Sequence, residues 1–102
     1  MIETFIKLKE KFKGNSFVDI DPNTSTIKIK IQDGPIQEYG INGTQIDELG
    51  KIWLSILYIF NEGTFRCREN SISITKIEEA LMWQEARTKD RITRLVEGYN
   101  KP

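Results

Sequence analysis

The spacing of apolar positions divides this chain into two parts. Near the N-terminus, Met1, Phe5, Leu8 and Phe12 recur at helical intervals. The same stretch also alternates, Ile6 and Leu8 against Lys7, Lys9, Lys11 and Lys13, which is strand spacing; a short helix is favoured. Phe17, Val18 and Ile20 then run into Asp21-Pro22-Asn23, a turn sequence. Beyond it Ile27, Ile29 and Ile31 alternate with Lys28, Lys30 and Gln32, the mark of a half-buried strand. An antiparallel hairpin follows from these two runs, with Ile36 to Ile41 as a third strand after the break at Asp33-Gly34-Pro35.

The second part is helical. Ile46, Leu49, Ile52, Trp53, Ile56, Leu57 and Phe60 fall on one face, Thr44 and Asp47 suggest an approximate capping box, and Asn61-Glu62-Gly63 reads as a stop. A second helix beginning at Asn70 or Ser71 carries Ile74, Ile77, Leu81, Thr88, Ile92 and Leu95 on its buried stripe, with Ala80 beside it; Gly98 and Pro102 end the ordered part. Helices of about 17 and about 24 residues joined by a short link pack antiparallel. The expected fold class is therefore α+β: residues 1–43 mainly an antiparallel β-sheet with the short N-terminal helix, residues 44–97 a long helical hairpin, all within one domain.

Composition narrows the chemistry. The chain has 102 residues, 15 Lys+Arg against 15 Asp+Glu, no His and one Cys. Neutral net charge argues against a bulk DNA binder. One Cys forms no internal disulfide and fits a reducing cytoplasm, and no secretory or membrane-spanning segment is visible. Without His, the common zinc sites and the usual neutral-pH general base are missing, so no catalytic residue and no metal ligand is assigned. Cys67 lies between Arg66 and Arg68, which favours a thiolate; a small buried residue at the start of a helix is the plainer reading. Asp47, Glu48, Glu78, Glu79 and Glu85 are too thinly spaced for a Mg²⁺ cage and read as solvated or capping residues.

The arginines are more telling. All five fall between positions 66 and 94, and Arg87, Arg91 and Arg94 lie at i, i+4 and i+7 on one helical stripe. Residues 87–94 alone carry four positive charges and one negative. Arginine suits bidentate phosphate contacts and stacking on flat rings. Salt bridging by Glu78, Glu85 and Asp90 is the competing account of the same stripe. Asn70 at a helix start, the turns Gly34-Pro35, Gly40 and Asn42-Gly43, and the aromatic faces of Phe65 and Tyr39 also fit a phosphate-bearing ligand.

Several blocks resemble a phage-protein signature. Residues 34–43, GPIQEYGING, are similar to its GPIxExGxNG; residues 65–71, FRCRENS, to FxCREN; residues 75–83, TKIEEALMW, to TKLEEALxW; residues 87–91, RTKDR, to RTxDR; and Val96-Glu97-Gly98 to its closing VEG. The resemblance covers residues 34–98 and points to the helical-hairpin family of phage anti-defence nucleotide sponges, which includes Thoeris anti-defence proteins and anti-CBASS sponges. It implies binding, without cleavage, of a cyclic ADP-ribose isomer made by Thoeris TIR enzymes, with cyclic di- or trinucleotides as further ligands of some relatives. It also implies a homodimer or hexamer with pockets between subunits, no cofactor, no DNA or membrane partner, and action in the cytoplasm of the infected bacterial host. Within that reading Arg87 and Arg91 are the expected phosphate ligands, with Asn70 at the ribose or base, Arg68 as a further ligand-binding residue and Phe65 or Phe60 as the stacking face. Met82 and Trp83, off the buried stripe, are expected at a subunit interface. A Mg²⁺-dependent nucleotide hydrolase on a helical bundle and a phage protein-interaction module are the alternatives.

Overall fold

The computed structural model describes residues 2–97. The expectations placed on Met1, on the Leu95 side chain and on Gly98 and Pro102 lie outside the described residues. The first apolar run forms a helix, α1 (Ile2–Lys11), which buries Leu8 completely and Thr4 nearly so. A tight link through Gly14 leads to β1 (Val18–Asp21), paired antiparallel with β2 (Thr26–Ile29) in the register Val18↔Ile29 and Ile20↔Ile27. Period-two alternation places Val18 and Ile20 on the inner face, and they meet Leu8 of α1 and Ile52 of the next long helix in the main core. The Asp21 carboxylate accepts the Asn23 N–H at 2.9 Å and closes the hairpin turn. That bond, first among the causes, holds the Asp21 carboxyl below its ordinary pKa.

The third strand does not form. Ile36–Tyr39 is instead a single helical turn, α2, entered through Pro35 and ended at Gly40 with φ +69°. Proline fixes the φ that starts a helical turn, and glycine readily takes the left-handed geometry that ends one. Ile31 also leaves the sheet. It stands 62% exposed and makes an isolated parallel bridge to Thr44. The bridge is carried by Thr44 N–H to the Lys30 carbonyl at 2.6 Å and Gln32 N–H to the Thr44 carbonyl at 3.0 Å. Gly43 lies against this crossing: a Cβ there would meet the Ile31 carbonyl and come within 2.5 Å of the Gln32 nitrogen.

Two antiparallel helices follow, α3 (Ile46–Asn61) and α4 (Arg68–Glu97). The capping box is absent. Gln45 is the α3 N-cap and makes no side-chain cap, while the Thr44 hydroxyl is drawn across to the Phe17 carbonyl at 3.4 Å. Gly50 lets α4 approach closely, since a Cβ there would reach Leu81 at 2.9 Å. Ile74 and Ile77 of α4 are buried against α3, whereas Thr88 and Ile92 of the expected stripe are exposed. The reason is length. At 1.5 Å per residue α3 spans about 24 Å and α4 about 45 Å, and with Leu81 packed on Gly50 about the last dozen residues of α4 run past the start of α3. The result is elongated, 52 × 30 × 16 Å, with a radius of gyration of 16.5 Å; a compact chain of this size has about 13 Å.

Candidate functional site

The overhanging end of α4 forms one wall of a cleft of about 590 Å³. Arg87, Thr88, Arg91 and Ile92 lie on that wall, and Gln32, Gly34, Pro35, Ile36, Gln45 and Ile46 face them. Arg87 and Arg91 are adjacent because they stand at i and i+4. The acids that competed for them are otherwise engaged. Glu85 pairs with Lys89 at 3.2 Å, Asp90 pairs with Arg94 at 3.2 Å, and Glu78 accepts the Tyr58 hydroxyl at 2.9 Å. Arg87 and Arg91 therefore reach the cleft without an ion pair to any described acid, while Arg94, also on the sequence stripe, is held by Asp90.

The opposite wall is a loop tied by amides. Gln32 Nε2 donates to the carbonyls of Gly34 (3.1 Å) and Gly40 (2.9 Å), and its Oε1 accepts the Asn42 N–H at 3.0 Å. Asn42 and Asp33 exchange two further bonds at 2.8 Å, Asp33 N–H to Asn42 Oδ1 and Asn42 Nδ2 to the Asp33 carbonyl. Gly34, at φ +83°, lies under the Tyr39 ring. Sequence reasoning singled out the turns of this segment, Asn42-Gly43 among them, but missed Gln32 and Gln45. Their bonds join residues up to 13 positions apart, and no spacing rule announces them.

The remaining candidates gather at the other end of the hairpin. Phe60 and Phe65 pack with ring centroids 5.8 Å apart, tilted by 54°. Phe65 is 68% exposed, so it belongs to the surface and not to the core. Arg68 opens α4 and is exposed. Asn70 therefore lies within the first turn of α4, not at its start, and its Nδ2 donates to the Phe65 carbonyl at 3.0 Å. Cys67, which precedes α4, is exposed, not buried; its Sγ accepts the Asn70 N–H at 3.4 Å. Asn61 ties the two helices, its Oδ1 taking the Cys67 N–H at 3.1 Å and its Nδ2 reaching the Ser71 hydroxyl at 3.2 Å. From Asn70 to Arg87 is 17 residues of helix, about 25 Å. Within one chain the predicted residues thus fall into two groups at opposite ends.

A second groove, of about 410 Å³, follows the α3–α4 seam past Asp47, Lys51, Glu78, Leu81 and Glu85. Lys51 bonds Glu48 at 3.1 Å, and this hydrogen bond, the largest cause, raises the ammonium pKa above its ordinary value. No three His, Cys, Asp or Glu side chains gather into a metal-holding group among the described residues. No described helix is long and apolar enough to cross a membrane.

Comparison with known proteins agrees with this architecture. Residues 23–89 match the family described as Acb2/Tad1, hairpin domain. That span takes in β2, the tied loop, α3 and Arg87, but stops short of Arg91 and of the closing Val96-Glu97-Gly98 block. The protein named Thoeris anti-defense 1 from Bacillus phage SBSphiJ7 is 44% identical over 73 residues, which is 72% of this chain and 51% of that protein. The chain thus spans about half the length of the relative it matches. With a match that spans well over half of its residues, this chain belongs to the Acb2/Tad1 hairpin-domain family.

Proposed function

We propose that the chain is a phage anti-defence protein that binds a cyclic ADP-ribose-type signal of Thoeris immunity in the host cytoplasm and holds it uncleaved. The observation that carries the proposal is the cleft in which Arg87 and Arg91, without an acid partner among the described residues, face a loop held rigid by side-chain amides. Two guanidiniums one turn apart suit a pyrophosphate. The name of the phage relative supports the anti-defence role.

The site is completed by a second copy of the chain. Asn70 stands about 25 Å along α4 from Arg87, and Phe60 about 21 Å along α3 from Ile46, with Phe65 and Arg68 beside them, farther than a cyclic dinucleotide-sized ligand spans. An antiparallel partner would bring its hairpin tip to that cleft, adding an aromatic face and an amide to the two arginines. Exposed Trp53, Met82, Trp83 and Ile92 supply the apolar surface for such an assembly. Stoichiometric sequestration needs a dissociation constant near nanomolar, about −12 kcal/mol, which a pocket closed by two chains can reach.

The test is incubation with cyclic ADP-ribose isomers and cyclic di- and trinucleotides, native mass measurement, then denaturation and identification of what is released. An intact cyclic ADP-ribose isomer, recovered from an oligomer, is expected. Release of linear ADP-ribose would overturn storage in favour of hydrolysis. Failure of every nucleotide to bind would leave a protein-interaction role.

A further inference from the structure

The polarity of one amide in the cleft is dictated by the backbone around it. Gln32 Nε2 donates to two carbonyl oxygens, those of Gly34 and Gly40, while Oε1 accepts the Asn42 backbone N–H. Carbonyl oxygens only accept and a backbone N–H only donates. Turning the Gln32 amide over would set oxygen against two oxygens and NH₂ against N–H, so its orientation is determined by three independent partners. The same Oε1 lies 3.2 Å from the Gln45 amide. Because Oε1 is an acceptor, the Gln45 atom facing it is the NH₂ group. Gln45 therefore cannot turn over either without losing this bond. Its side-chain oxygen, Oε1, accepts no hydrogen bond from the described residues, and Gln45 lines the same cleft as Arg87 and Arg91.

We infer that Gln45 is a specificity-determining residue: a fixed hydrogen-bond acceptor that reads a donor on the ligand's base, the exocyclic nitrogen of adenine. This rests on the nucleotide-binding reading above. An oxo group at that position, as in hypoxanthine, would set two acceptors face to face, and Gln45 could relieve the conflict only by giving up its bond to Gln32. Sites built to hydrogen-bond a substrate group reject the analogue that lacks it more strongly than apolar pockets reject a change of size. The relay runs from backbone to Gln32 to Gln45, so Gln32 is a positioning residue that acts through Gln45.

The experiment is calorimetric titration of the full chain with cyclic ADP-ribose and with its hypoxanthine counterpart, which keeps the phosphates and both riboses. The adenine form is expected to bind the wild-type chain at least tenfold more tightly. Gln45→Leu brings the ratio of affinities close to one. Gln32→Leu, which frees the Gln45 amide to turn, lowers the ratio while binding of the adenine form persists. Arg91→Ala weakens both ligands and leaves the ratio unchanged. Equal affinity of the two ligands for the wild-type chain, or a preference that survives Gln45→Leu, overturns the assignment and leaves nucleotide binding intact. Absence of binding by both ligands overturns this inference, and the nucleotide reading then stands or falls with the wider panel of isomers and cyclic oligonucleotides.

Discussion

Substituting alanine for Gly43 tests the loop that forms the cleft wall. The added Cβ would meet the backbone of Ile31 and Gln32, not the end of a movable side chain. Relief requires the two segments to separate at the Ile31–Thr44 bridge. That separation strains the bonds Thr44 N–H to Lys30 and Gln32 N–H to Thr44. Overpacking of this kind costs about 1–3 kcal/mol, and each weakened backbone hydrogen bond about 1 kcal/mol more. A loss of about 3 kcal/mol corresponds to a melting temperature lowered by roughly 15 °C in a chain of this size. The assay is thermal and urea unfolding followed by circular dichroism at 222 nm, at one fixed chain concentration so that assembly does not shift the midpoint. Gly63→Ala is the matched control. A Cβ at Gly63 meets nothing within 4 Å, so its stability is expected within about 1 kcal/mol of wild type. If Gly43→Ala unfolds at the same midpoint as Gly63→Ala, the crossing is not the constraint described, and the account of the tied loop fails.

Three other predictions follow from the same geometry. Ile77→Ala, which empties a buried position between α3 and α4, is expected to cost about 3 kcal/mol in urea unfolding. Arg87→Ala and Arg91→Ala are each expected to raise the dissociation constant for a cyclic ADP-ribose isomer about 10- to 100-fold. Both residues are exposed, so the melting temperature of the free protein should stay close to wild type, as differential scanning fluorimetry would check. Tyr58 donates to the Glu78 carboxylate, and this bond raises its pKa above the ordinary value of 10.0. Its contribution to stability is therefore present below the unfolded value and lost as pH rises through the raised folded one. An absorbance titration at 295 nm should show a late-ionising component, which Tyr58→Phe should remove.

The broad division of the chain was legible because periodicity reports burial directly. The alternation at Ile27 and Ile29 marked a strand, and the spacing of Ile52, Ile56, Ile74 and Ile77 marked two helices with facing stripes. Local rules failed where a distant group competed for a polar atom. Thr44 has the composition of a cap, yet its hydroxyl goes to Phe17, 27 residues away. Residues 36–41 carry apolar positions that suit a strand, but Pro35 and Gly40 bracket a helical turn instead. The arginine stripe was visible in the sequence, and so in principle was its distance from Asn70, since helix rise is constant. The partition of acids between Lys89, Arg94 and Tyr58, which leaves Arg87 and Arg91 without an acid among the described residues, depends on three-dimensional placement. Gln32 and Gln45 carry no local signal, because an amide pair has no preferred separation along a chain.

The unequal lengths of α3 and α4 have a thermodynamic consequence. The end of α4 extends beyond its helical neighbour, and Ile92 on that part is 55% exposed. A helical stretch of about a dozen residues is marginal in water without tertiary packing. Arg87 and Arg91 are thus carried on the segment whose helical order draws least on its own chain and most on whatever fills the cleft. A ligand that engages both guanidiniums then contributes to folding as well as to binding, and part of its interaction energy is spent on ordering that turn. Amide hydrogen exchange over residues 86–94 would report this coupling, slowing on saturation by more than the exchange around Ile74 and Ile77, where packing already holds the helix.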